Sequence, residues 1–284
     1  MTLKIAIQKS GRLYDDSVKM LKECGIDMPT GINKLRCDAY NFPLEILFLR
    51  DDDIPQYVED GIADIGIVGE NVVFEKNRNV DVVEQLDFAK CRLSIAVPRN
   101  DTYESIRCLN NKKIATSYPT LLRAFLDRNN VDAEIHEISG SVEIAPSIGL
   151  ADAICDLVSS GSTLLMNGLK ETEIIFRSEA VLIGTKNLAD DKLAILNKLL
   201  FRIRAVKKSK RYKYILLNAP NDKIDTICNL IPGMKSPTIL PLAKEGWCSL
   251  HSVVAEDDFW NIIENLSAAG AEGILVSAIE KMIL

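Results

Sequence analysis

The residues best suited to chemistry lie in one stretch near the middle of the chain, residues 151–164, which reads ADAICDLVSSGSTL. A short apolar run that contains Asp152 and Asp156 leads directly into a loop of small residues, 159–163. If the run is a strand, the two aspartates share one face, because side chains on a strand alternate with a period of two. The backbone N–H groups and hydroxyls of such a loop can surround an anion, and carboxylates can bind ribose hydroxyls or magnesium. The segment therefore favours a sugar phosphate, while an ordinary strand–turn–helix remains the open alternative.

Two cationic motifs follow other predicted strands. Lys9-Ser-Gly-Arg12 comes directly after the first strand, at the carboxyl end where open α/β sheets bind ligands. Its Lys9 and Arg12 can neutralise phosphate, and Gly11 allows the backbone to approach a ligand closely. Arg50 ends a second strand and is available to an anion. The three acids that follow it, residues 51–53, are either magnesium ligands or, through Asp52 or Asp53, the N-terminal cap of a helix.

Three further groups belong to the same kind of position. Glu70 follows the buried strand DIGIVG, in which Gly69 leaves room for a ligand or for a sharp turn. The motif ATSYP places hydroxyls at a predicted helix N-terminus, where phosphate can bind, and places Tyr118 where it can stack on a base. Glu143 lies in a turn rich in glycine and serine, and its carboxylate can hold ribose hydroxyls.

Composition excludes several classes of protein. The chain has 284 residues, enough for two or three domains, and a net charge of −6, which argues against a nucleic-acid-binding protein because such proteins concentrate basic residues on one surface. Seven scattered cysteines indicate an intracellular protein, and only two histidines argue against a histidine-rich zinc site. The chain shows neither a secretory signal nor an apolar run long enough for a membrane span. We therefore expect a cytoplasmic protein with no membrane partner.

The elements that must position these groups follow from the hydrophobic pattern. Strands and helices alternate through residues 1–90 and again through 91–177, which predicts two α/β lobes, each with a largely parallel sheet. Residues 178–206, a strand and then a helix at 190–206, are expected to return the chain to the first lobe. Two lobes joined by two crossings form a cleft, where small ligands usually bind. The predicted strands of these regions are 3–7, 44–49, 65–68, 93–97, 114–116, 134–138, 153–158, 173–176 and 180–184, and the predicted helices are 13–24, 54–60, 121–129 and 190–206.

Residues 207–284 show a different order, βαββαβ, which is the ferredoxin-like arrangement. Asp222 and Asp258 are expected to contribute to the N-terminal caps of the two helices, and Gly233 and Gly270 to follow the two helix ends. The basic cluster at 207–211 is interpreted as a solvated linker, with an anion patch as the alternative. Because no acid–base constellation occurs here, we expect a binding or regulatory module.

The joint order of these motifs resembles one known family, the ATP phosphoribosyltransferases of the long, allosteric type. The resemblance covers nearly the whole chain, and the block at 140–164 is its most specific part. The resembling stretches are QKSGRL (8–13), LRDDDIP (49–55), DIGIVGEN (64–71), CRLS (91–94), IATSYP (114–119), GSVEIAP (140–146), GLADAICDLVSSGSTL (149–164) and SPTILPL (236–242). One departure is small: the loop has Ser160-Gly-Ser162 where relatives often have Thr-Gly-Ala, which still supplies a hydroxyl.

The resemblance implies a catalytic core of two lobes similar to type II periplasmic binding proteins, formed by residues 1–90 with 178–206 and by 91–177. It also implies an ACT-like, histidine-binding regulatory domain at 207–284. The family's enzymes join N1 of ATP to the ribose C1′ of phosphoribosyl pyrophosphate (PRPP) and release pyrophosphate. Their cofactor is Mg²⁺, expected to be held mainly through the substrate's diphosphate, and histidine inhibits them. A homo-oligomer, dimer or hexamer, is expected.

The same resemblance implies roles for individual residues. PRPP would contact Asp152, Asp156, Ser159, Ser160, Gly161, Ser162 and Thr163. ATP would contact Lys9, Gly11, Arg12, Arg50, Glu70 and Tyr118. The catalytic group would comprise Lys9, Arg12, Arg50, Glu143 and Asp156. Histidine would bind near Asn218, Thr238 and Gly273.

Two other readings are open at this point. A solute-binding protein or ligand-sensing regulator can be built on the same two-lobed fold, but it would need export or contact with DNA, and the sequence indicates neither. A catalytically silent regulatory subunit would keep the lobes and the effector domain. The presence of Lys9, Arg12, Asp156 and the hydroxyl-rich loop argues against it.

Overall fold

The computed structural model describes residues 1–29, 35–231 and 236–283. The chain divides into two compact units: the first contains Met1–Lys22 and Ile26–Leu196, and the second contains Glu23–Gly25 and Asn197–Leu284. Within the described ranges, no helix combines the length and the apolar character that crossing a membrane would require.

Two mixed sheets form the first unit. Its strands are β1 (Leu3–Gln8), β2 (Arg36–Asp38), β3 (Leu44–Leu49), β4 (Ile65–Gly69), β5 (Asp81–Gln85), β6 (Cys91–Pro98), β7 (Lys113–Thr116), β8 (Glu134–Glu137), β9 (Ala153–Val158), β10 (Leu169–Ser178) and β11 (Ala180–Gly184). The first sheet has the order β2-β3-β1-β4-β11-β5, and the second has the order β10-β6-β9-β7-β8.

Each sheet contains one group of three neighbouring parallel strands. Strand β1 runs parallel to β3 and β4, and β7 runs parallel to β8 and β9. Strand β11 pairs antiparallel with β4 and β5, and β6 pairs antiparallel with β9 and β10. The expectation of largely parallel sheets therefore holds for these six strands and is wrong where β2, β6 and β11 insert in the opposite direction. Strands β6 and β11 are the first strands after the two crossings between the sheets.

The first unit's helices are short. They are α1 (Arg12–Glu23), α2 (Ile54–Glu59), α3 (Glu70–Lys76), α4 (Pro119–Arg128), α5 (Ser162–Met166) and the start of α6 (Asp190–Ser209). Helix α4 begins at a proline, whose missing N–H costs nothing at a first helical position. Helices α3 and α5 were not predicted from the pattern.

Continuous apolar runs place the central strands in the core. In β4, Ile65, Ile67 and Val68 are fully buried, and the same holds for Ala153 and Ile154 of β9. Strands covered on both faces read as unbroken hydrophobic runs, in contrast to the alternation of a half-exposed strand. The polar residues that follow each run therefore emerge at the strand ends.

The chain crosses between the two sheets twice, from β5 to β6 and from β10 to β11. A buried contact fastens the second crossing, where the hydroxyl of Ser178 accepts a hydrogen bond from the N–H of Asn71 at 3.0 Å. The same hydroxyl donates to Oδ1 of Asn71 at 2.8 Å. The first residues of α3 are thus tied to the crossing strand.

The second unit has the element order that the sequence predicts. Its elements are β12 (Tyr212–Pro220), α7 (Ile224–Leu230), β13 (Thr238–Pro241), β14 (Trp247–Ala255), α8 (Phe259–Ala268) and β15 (Glu272–Ala278). The antiparallel sheet has the order β13-β14-β12-β15. The fully buried side chains of Ile215, Leu217 and Leu250 pack with Ile227 and Leu266 from the two helices.

The predicted capping details of this unit are partly wrong. Helix α7 has Lys223 and not Asp222 at its N-cap, and the Asp258 side chain makes no capping hydrogen bond to α8. Both N-cap residues adopt helical backbone angles, whereas a capping side chain needs an extended backbone to reach back. Gly270 follows α8 with φ +97°, as a helix stop requires, and Gly233 lies outside the described residues.

Helix α6 runs from Asp190 to Ser209 without a break, three residues beyond its predicted end at 206. The division between the units falls after Leu196, inside this helix, and not after residue 206. The reason is local contact: Arg202 donates to the carbonyl of Cys24 at 3.2 Å, and the carbonyl of Ala205 accepts from the N–H of Met282 at 3.1 Å. The C-terminal part of α6 therefore belongs with the second unit.

Candidate functional site

The first group of candidate residues lies at one edge of the first sheet. Because β1, β3 and β4 are parallel, their carboxyl ends meet at the same edge. Lys9 and Arg12 follow β1, Arg50 follows β3, and Glu70 follows β4. The structure thus brings these four predicted residues to one sheet edge, and Lys9, Arg12 and Arg50 are exposed there.

The turn between β1 and α1 depends on Gly11. Its φ of +91° lies in the left-handed region, which glycine adopts without steric cost. The carbonyl of Gly11 accepts the N–H of Asp15 at 3.1 Å, so the turn passes straight into α1. Arg12 is consequently the first residue of the helix and projects from the sheet edge.

The second group lies at the corresponding edge of the second sheet. Strands β7, β8 and β9 are parallel, and their carboxyl ends lead to Tyr118, to Glu143 and to the loop at 159–163. The hydroxyl of Ser117 donates to the carbonyl of Ile138 at 2.7 Å. The connections after β7 and β8 are therefore fastened to each other beside the loop.

The loop at 159–163 is an exposed turn, and it touches the other sheet's residues directly. Gly161 has φ +84°, and the hydroxyls of Ser160 and Ser162 are 3.0 Å apart. Nη1 of Arg12 donates a hydrogen bond to Oγ of Ser159 at 3.1 Å. This contact brings the cationic edge of the first sheet against the hydroxyl-rich loop of the second.

The carboxylate of Asp156 lies in a low-dielectric position just before the loop. Burial raises its pKa to about 6, the charge of Glu143 acts in the same direction, and a hydrogen bond from the N–H of Leu157 opposes them. That bond has a length of 2.7 Å. Burial also raises the pKa of Tyr118, and the charge of Asp156 adds to that shift. Asp156, Glu143 and Tyr118 therefore share one electrostatic environment.

Glu70 lines a pocket of about 340 Å³ at the crossing between the sheets, together with Cys91, Ser178 and Glu179. Burial and the nearby charge of Glu179 raise the pKa of Glu70. Burial likewise raises the pKa of Cys91, while the charge of Arg12 lowers it. Since Arg12 also contacts Ser159, this pocket adjoins the group described above.

The structure does not bring Asp152 to the loop. Its carboxylate accepts the N–H of Lys113 at 2.8 Å and pairs with Nζ of Lys112 at 3.4 Å. Lys113 begins β7, so Asp152 lies at the amino end of β9, whereas the loop follows its carboxyl end. Sharing a face along a strand, which the period of two ensures, does not bring two residues to the same end. The expectation that Asp152 joins Asp156 at the ligand is therefore wrong on position.

Two helix N-termini also differ from expectation. At α2 the N-cap is Asp53, whose side chain makes no capping hydrogen bond. At α4, where phosphate was expected, both carboxylate oxygens of Glu75 accept hydrogen bonds from the N–H groups of Thr120 and Leu121, at 2.9 and 3.0 Å. A carboxylate from α3 thus occupies the place where the helix dipole would attract an anion.

Sequence reasoning missed an ion pair behind the loop. Arg92 of β6 holds both carboxylate oxygens of Glu171 of β10, at 2.5 and 2.6 Å, and its Nη1 donates to the carbonyl of Ser159 at 3.0 Å. The motif CRLS contained Arg92 but gave no indication of its partner, which lies 79 residues away.

In the second unit the three expected effector residues separate into two places. Asn218 and Gly273 are neighbours: Nδ2 of Asn218 lies 3.3 Å from where a side chain on Gly273 would begin. Thr238 pairs with His251 on the far side of β14, two strands away from Asn218 in the sheet order. The ring of His251 also contacts the hydroxyls of Tyr214 and Ser249, a polar cluster that the sequence pattern did not indicate.

Among the described residues, no group of three or more His, Cys, Asp and Glu side chains is arranged to hold a metal ion. Of the three acids at 51–53, Asp52 pairs with Nζ of Lys76 at 3.6 Å. The described side chains therefore do not form a metal-binding site of three or more such ligands.

Comparison with known proteins gives consistent matches over the chain. A family model described as "HisG: ATP phosphoribosyltransferase" matches residues 50–205, and one described as "HisG, C-terminal domain" matches residues 209–281. The ATP phosphoribosyltransferase of Cytophaga hutchinsonii is 61% identical over 281 residues, covering 99% of this chain and 98% of that protein. The ATP phosphoribosyltransferase of Bacteroides thetaiotaomicron is 55% identical over 282 residues, covering 99% of this chain and all (100%) of that protein.

Solved structures agree on the fold. The ATP phosphoribosyl transferase (HisG:HisZ) complex from Thermotoga maritima contains a chain that is 26% identical, with a TM-score of 0.61, over 72% of this chain and 99% of that one. A substrate-binding protein of an amino acid ABC transporter is 14% identical, with a TM-score of 0.50, over 74% of this chain and 95% of that one. The α/β core thus has the fold of periplasmic binding proteins and is followed by a C-terminal domain.

Proposed function

Because this chain belongs to the ATP phosphoribosyltransferase family, in its long form, we propose that the two facing sheet edges of its first unit form the active site. The chain is a transferase that catalyses the first step of histidine biosynthesis, in which the phosphoribosyl group of PRPP is joined to ATP. The observation that supports this location best is the contact between Arg12 and Ser159, because it unites cations from one sheet with the anion-binding loop of the other.

The proposed PRPP subsite is the loop of the second sheet. Ser159, Ser160, Gly161, Ser162 and Thr163 would take the 5-phosphate through hydroxyls and backbone N–H groups. Asp156 and Glu143 would lie beside the ribose, where the negative charge of these partly buried side chains can stabilise positive charge that develops on the ring. Asp152 is not part of this proposal, since it lies at the other end of β9.

The proposed nucleotide and pyrophosphate side is the edge of the first sheet. Lys9, Arg12 and Arg50 would face the leaving diphosphate, whose negative charge grows as the bond to C1′ breaks. Glu70 and Tyr118 would contact the nucleotide, and Gly11 would allow the backbone to approach it closely. Adenine N1 is already a nucleophile, so the residues need to position it and to exclude water. Such positioning can supply up to roughly 7–11 kcal/mol of the barrier.

Magnesium is proposed to enter with the substrate, since enzymes of this family generally need a divalent metal and the described residues offer no cage for one. Bound to the diphosphate, it would neutralise charge on the leaving group. No residue of the chain is assigned to it.

The second unit is proposed to be the regulatory domain. Its βαββαβ order and the sheet order β13-β14-β12-β15 support a ferredoxin-like, ACT-like module. Feedback inhibition is general in this family, and we assign the histidine effector to the neighbourhood of Asn218 and Gly273. The proposal also comprises a cytoplasmic homo-oligomer, dimer or hexamer.

Two experiments separate the reaction from its location. The purified chain, given ATP, PRPP and Mg²⁺, should form phosphoribosyl-ATP and release pyrophosphate in equal amounts, with ultraviolet absorbance and a pyrophosphate assay as readouts. A crystal structure with PRPP should show the 5-phosphate on the loop at 159–163. A phosphate bound elsewhere, in an enzyme that is active, would refute the location and leave the reaction intact.

A further inference from the structure

Arg92 lies next to the proposed phosphate loop at 159–163, but two of its guanidinium nitrogens already donate to a carboxylate. Its guanidinium is held in a bidentate pair by Glu171, with Nε and Nη2 donating at 2.5 and 2.6 Å. The Ser94 hydroxyl donates to the same carboxylate at 2.7 Å, which fixes Glu171 from a second side. The two charged side chains are each only 25% exposed. The guanidinium plane is therefore fixed by β6 and β10, independently of any ligand.

The remaining donor of this guanidinium reaches the loop. Nη1 of Arg92 donates to the carbonyl oxygen of Ser159 at 3.0 Å. This bond is made to the backbone and not to the serine side chain, whose hydroxyl instead accepts from Arg12 at 3.1 Å. Ser159 is thus held at two points, and its carbonyl is turned toward β6.

The orientation of that carbonyl determines the orientation of the next N–H group. In a trans peptide the C=O and the N–H of one peptide unit point in opposite directions. With the carbonyl of Ser159 bound to Arg92, the N–H of Ser160 must point away from Arg92. If the unit rotated, the carbonyl oxygen, which carries partial negative charge, would take the place of a donor.

We propose that Arg92, held by Glu171, is a positioning residue that locks the Ser159–Ser160 peptide so that its N–H faces the 5-phosphate of PRPP. Arg92 acts through the backbone of the loop and does not itself touch the substrate. This inference rests on the proposed location of PRPP on the loop at 159–163. It goes beyond that proposal because it assigns a function to the Arg92–Glu171 pair.

The charge state of the pair fits this role. The hydrogen bond from Arg92 lowers the pKa of Glu171, so its carboxylate stays ionised at neutral pH and keeps holding the guanidinium. An arginine suits this position better than a lysine, because only a planar guanidinium can bind a carboxylate through two nitrogens while a third donates elsewhere.

The test compares Arg92→Gln, Arg92→Lys and Glu171→Gln with the wild-type enzyme in steady-state kinetics. Losing a charged hydrogen bond to the loop should raise KM for PRPP by about tenfold or more in Arg92→Gln, with KM for ATP within about twofold. Glu171→Gln, which keeps the shape of the side chain, should show the same selective effect at smaller size. Arg92→Lys should show most of the same rise in KM for PRPP, because lysine keeps the positive charge but lacks the planar guanidinium that binds Glu171 through two nitrogens.

The matched control is the exposed pair Lys113–Glu134 on the same sheet, whose atoms are 3.5 Å apart. Lys113→Gln and Glu134→Gln should leave both Michaelis constants unchanged. Full rescue by Arg92→Lys would show that charge alone matters and would overturn the proposal, as would an unchanged KM for PRPP or an equal rise in both constants. If Arg92→Gln does not fold, the proposal is tested with Glu171→Gln, whose affinity for PRPP is measured by calorimetry and should be lower than that of the wild type. The wild-type crystal structure with PRPP tests the loop assignment separately.

Discussion

Asp156 combines a partly buried position with the role proposed above, in which an ionised carboxylate stabilises a ribose that gains positive charge. Its pKa is raised to about 6, chiefly by burial. A carboxylate with a raised pKa binds its proton more tightly in the folded state than in the unfolded state. Folding stability from this group is therefore present at low pH and is lost as the pH rises through about 4 to 6. At neutral pH the enzyme keeps a charge there at some cost in stability.

Replacing Asp156 with asparagine should accordingly separate activity from stability. We expect Asp156→Asn to lower kcat by about a hundredfold or more, in the range seen when an electrostatic group is removed from an active site. The melting temperature at pH 7 should stay the same or rise, because the buried charge is gone. Asp152→Asn, the same change at the other end of β9, is the control and should leave kcat within about twofold. Wild-type turnover in Asp156→Asn would defeat the site assignment.

The pH profile gives an independent check on the same group. If the ionised form is the active one, kcat/KM should rise with pH through a midpoint near 6, the raised pKa of Asp156. The Asp156→Asn variant should lack this acidic limb. Persistence of the same limb in the variant would show that another group titrates there.

At the scale of single residues, the sequence predicted the positions of side chains well where residues follow strand ends, and their roles stay a prediction. Lys9, Arg12, Arg50 and Glu70 were found together at one edge because parallel strands share a carboxyl end. Residues that act across the fold were missed. Glu75 and Arg92 form their hydrogen bonds with partners 45 and 79 positions away in the sequence. No local spacing of residues indicates such a pairing.

At the scale of elements, the contact between α3 and α4 links the two sheets. Glu75 receives two backbone N–H groups of α4, and Phe74 stacks edge-on against Phe176 of β10 with ring centroids 5.2 Å apart. The Glu75 carboxylate satisfies donors that a helix N-terminus leaves without intrahelical partners. Helix α4 is therefore fixed by a side chain from another element instead of by its own N-cap residue.

Glu75→Gln should weaken this attachment. The amide has one acceptor oxygen in place of two and carries no charge, so we expect a loss of about 0.5–2 kcal/mol in the free energy of unfolding, measured by urea denaturation. Glu134→Gln serves as the control, because its exposed ion pair should contribute close to nothing. An equal loss in both variants would argue against a specific role for the Glu75 cap.

Strands with a strong apolar pattern were predicted to within two residues of their observed bounds, and weakly patterned elements were missed or, like β10, predicted too short. Strands 44–49, 153–158 and 180–184 were correct to the residue. The exposed edge strand β5 and the seven-residue helix α3 were missed, since neither has enough buried positions to show a period. The local sequence could not predict that β11 is antiparallel to its neighbours, because the hydrophobic pattern of a strand is the same in either orientation.

For the whole molecule, the central prediction concerns histidine. Gly273→Ala adds a methyl group 3.3 Å from Nδ2 of Asn218, in the place proposed for the effector. We expect the inhibition constant for histidine to rise by about tenfold or more, which lies within the usual 1–3 kcal/mol of allosteric coupling. Uninhibited kcat should be unchanged, because the proposed catalytic residues belong to the other unit.

Gly270→Ala supplies the matched control. Gly270 has a φ of +97° and Gly273 one of +58°, so both substitutions strain the backbone, yet nothing lies within 4 Å of the added methyl at Gly270. Histidine inhibition and thermal stability would be measured for both variants. If Gly270→Ala loses sensitivity as fully as Gly273→Ala, backbone strain and not the effector site is responsible.

The occupied N-terminus of α4 bears on the design of inhibitors. A medicinal chemist who read only the sequence would extend a nucleotide analogue toward that helix with a phosphate or sulfonate. The Glu75 carboxylate already takes up those two N–H donors, so the added group would meet a like charge and lose affinity. Compounds that grow instead toward residues 159–163 would meet hydroxyls and Arg12.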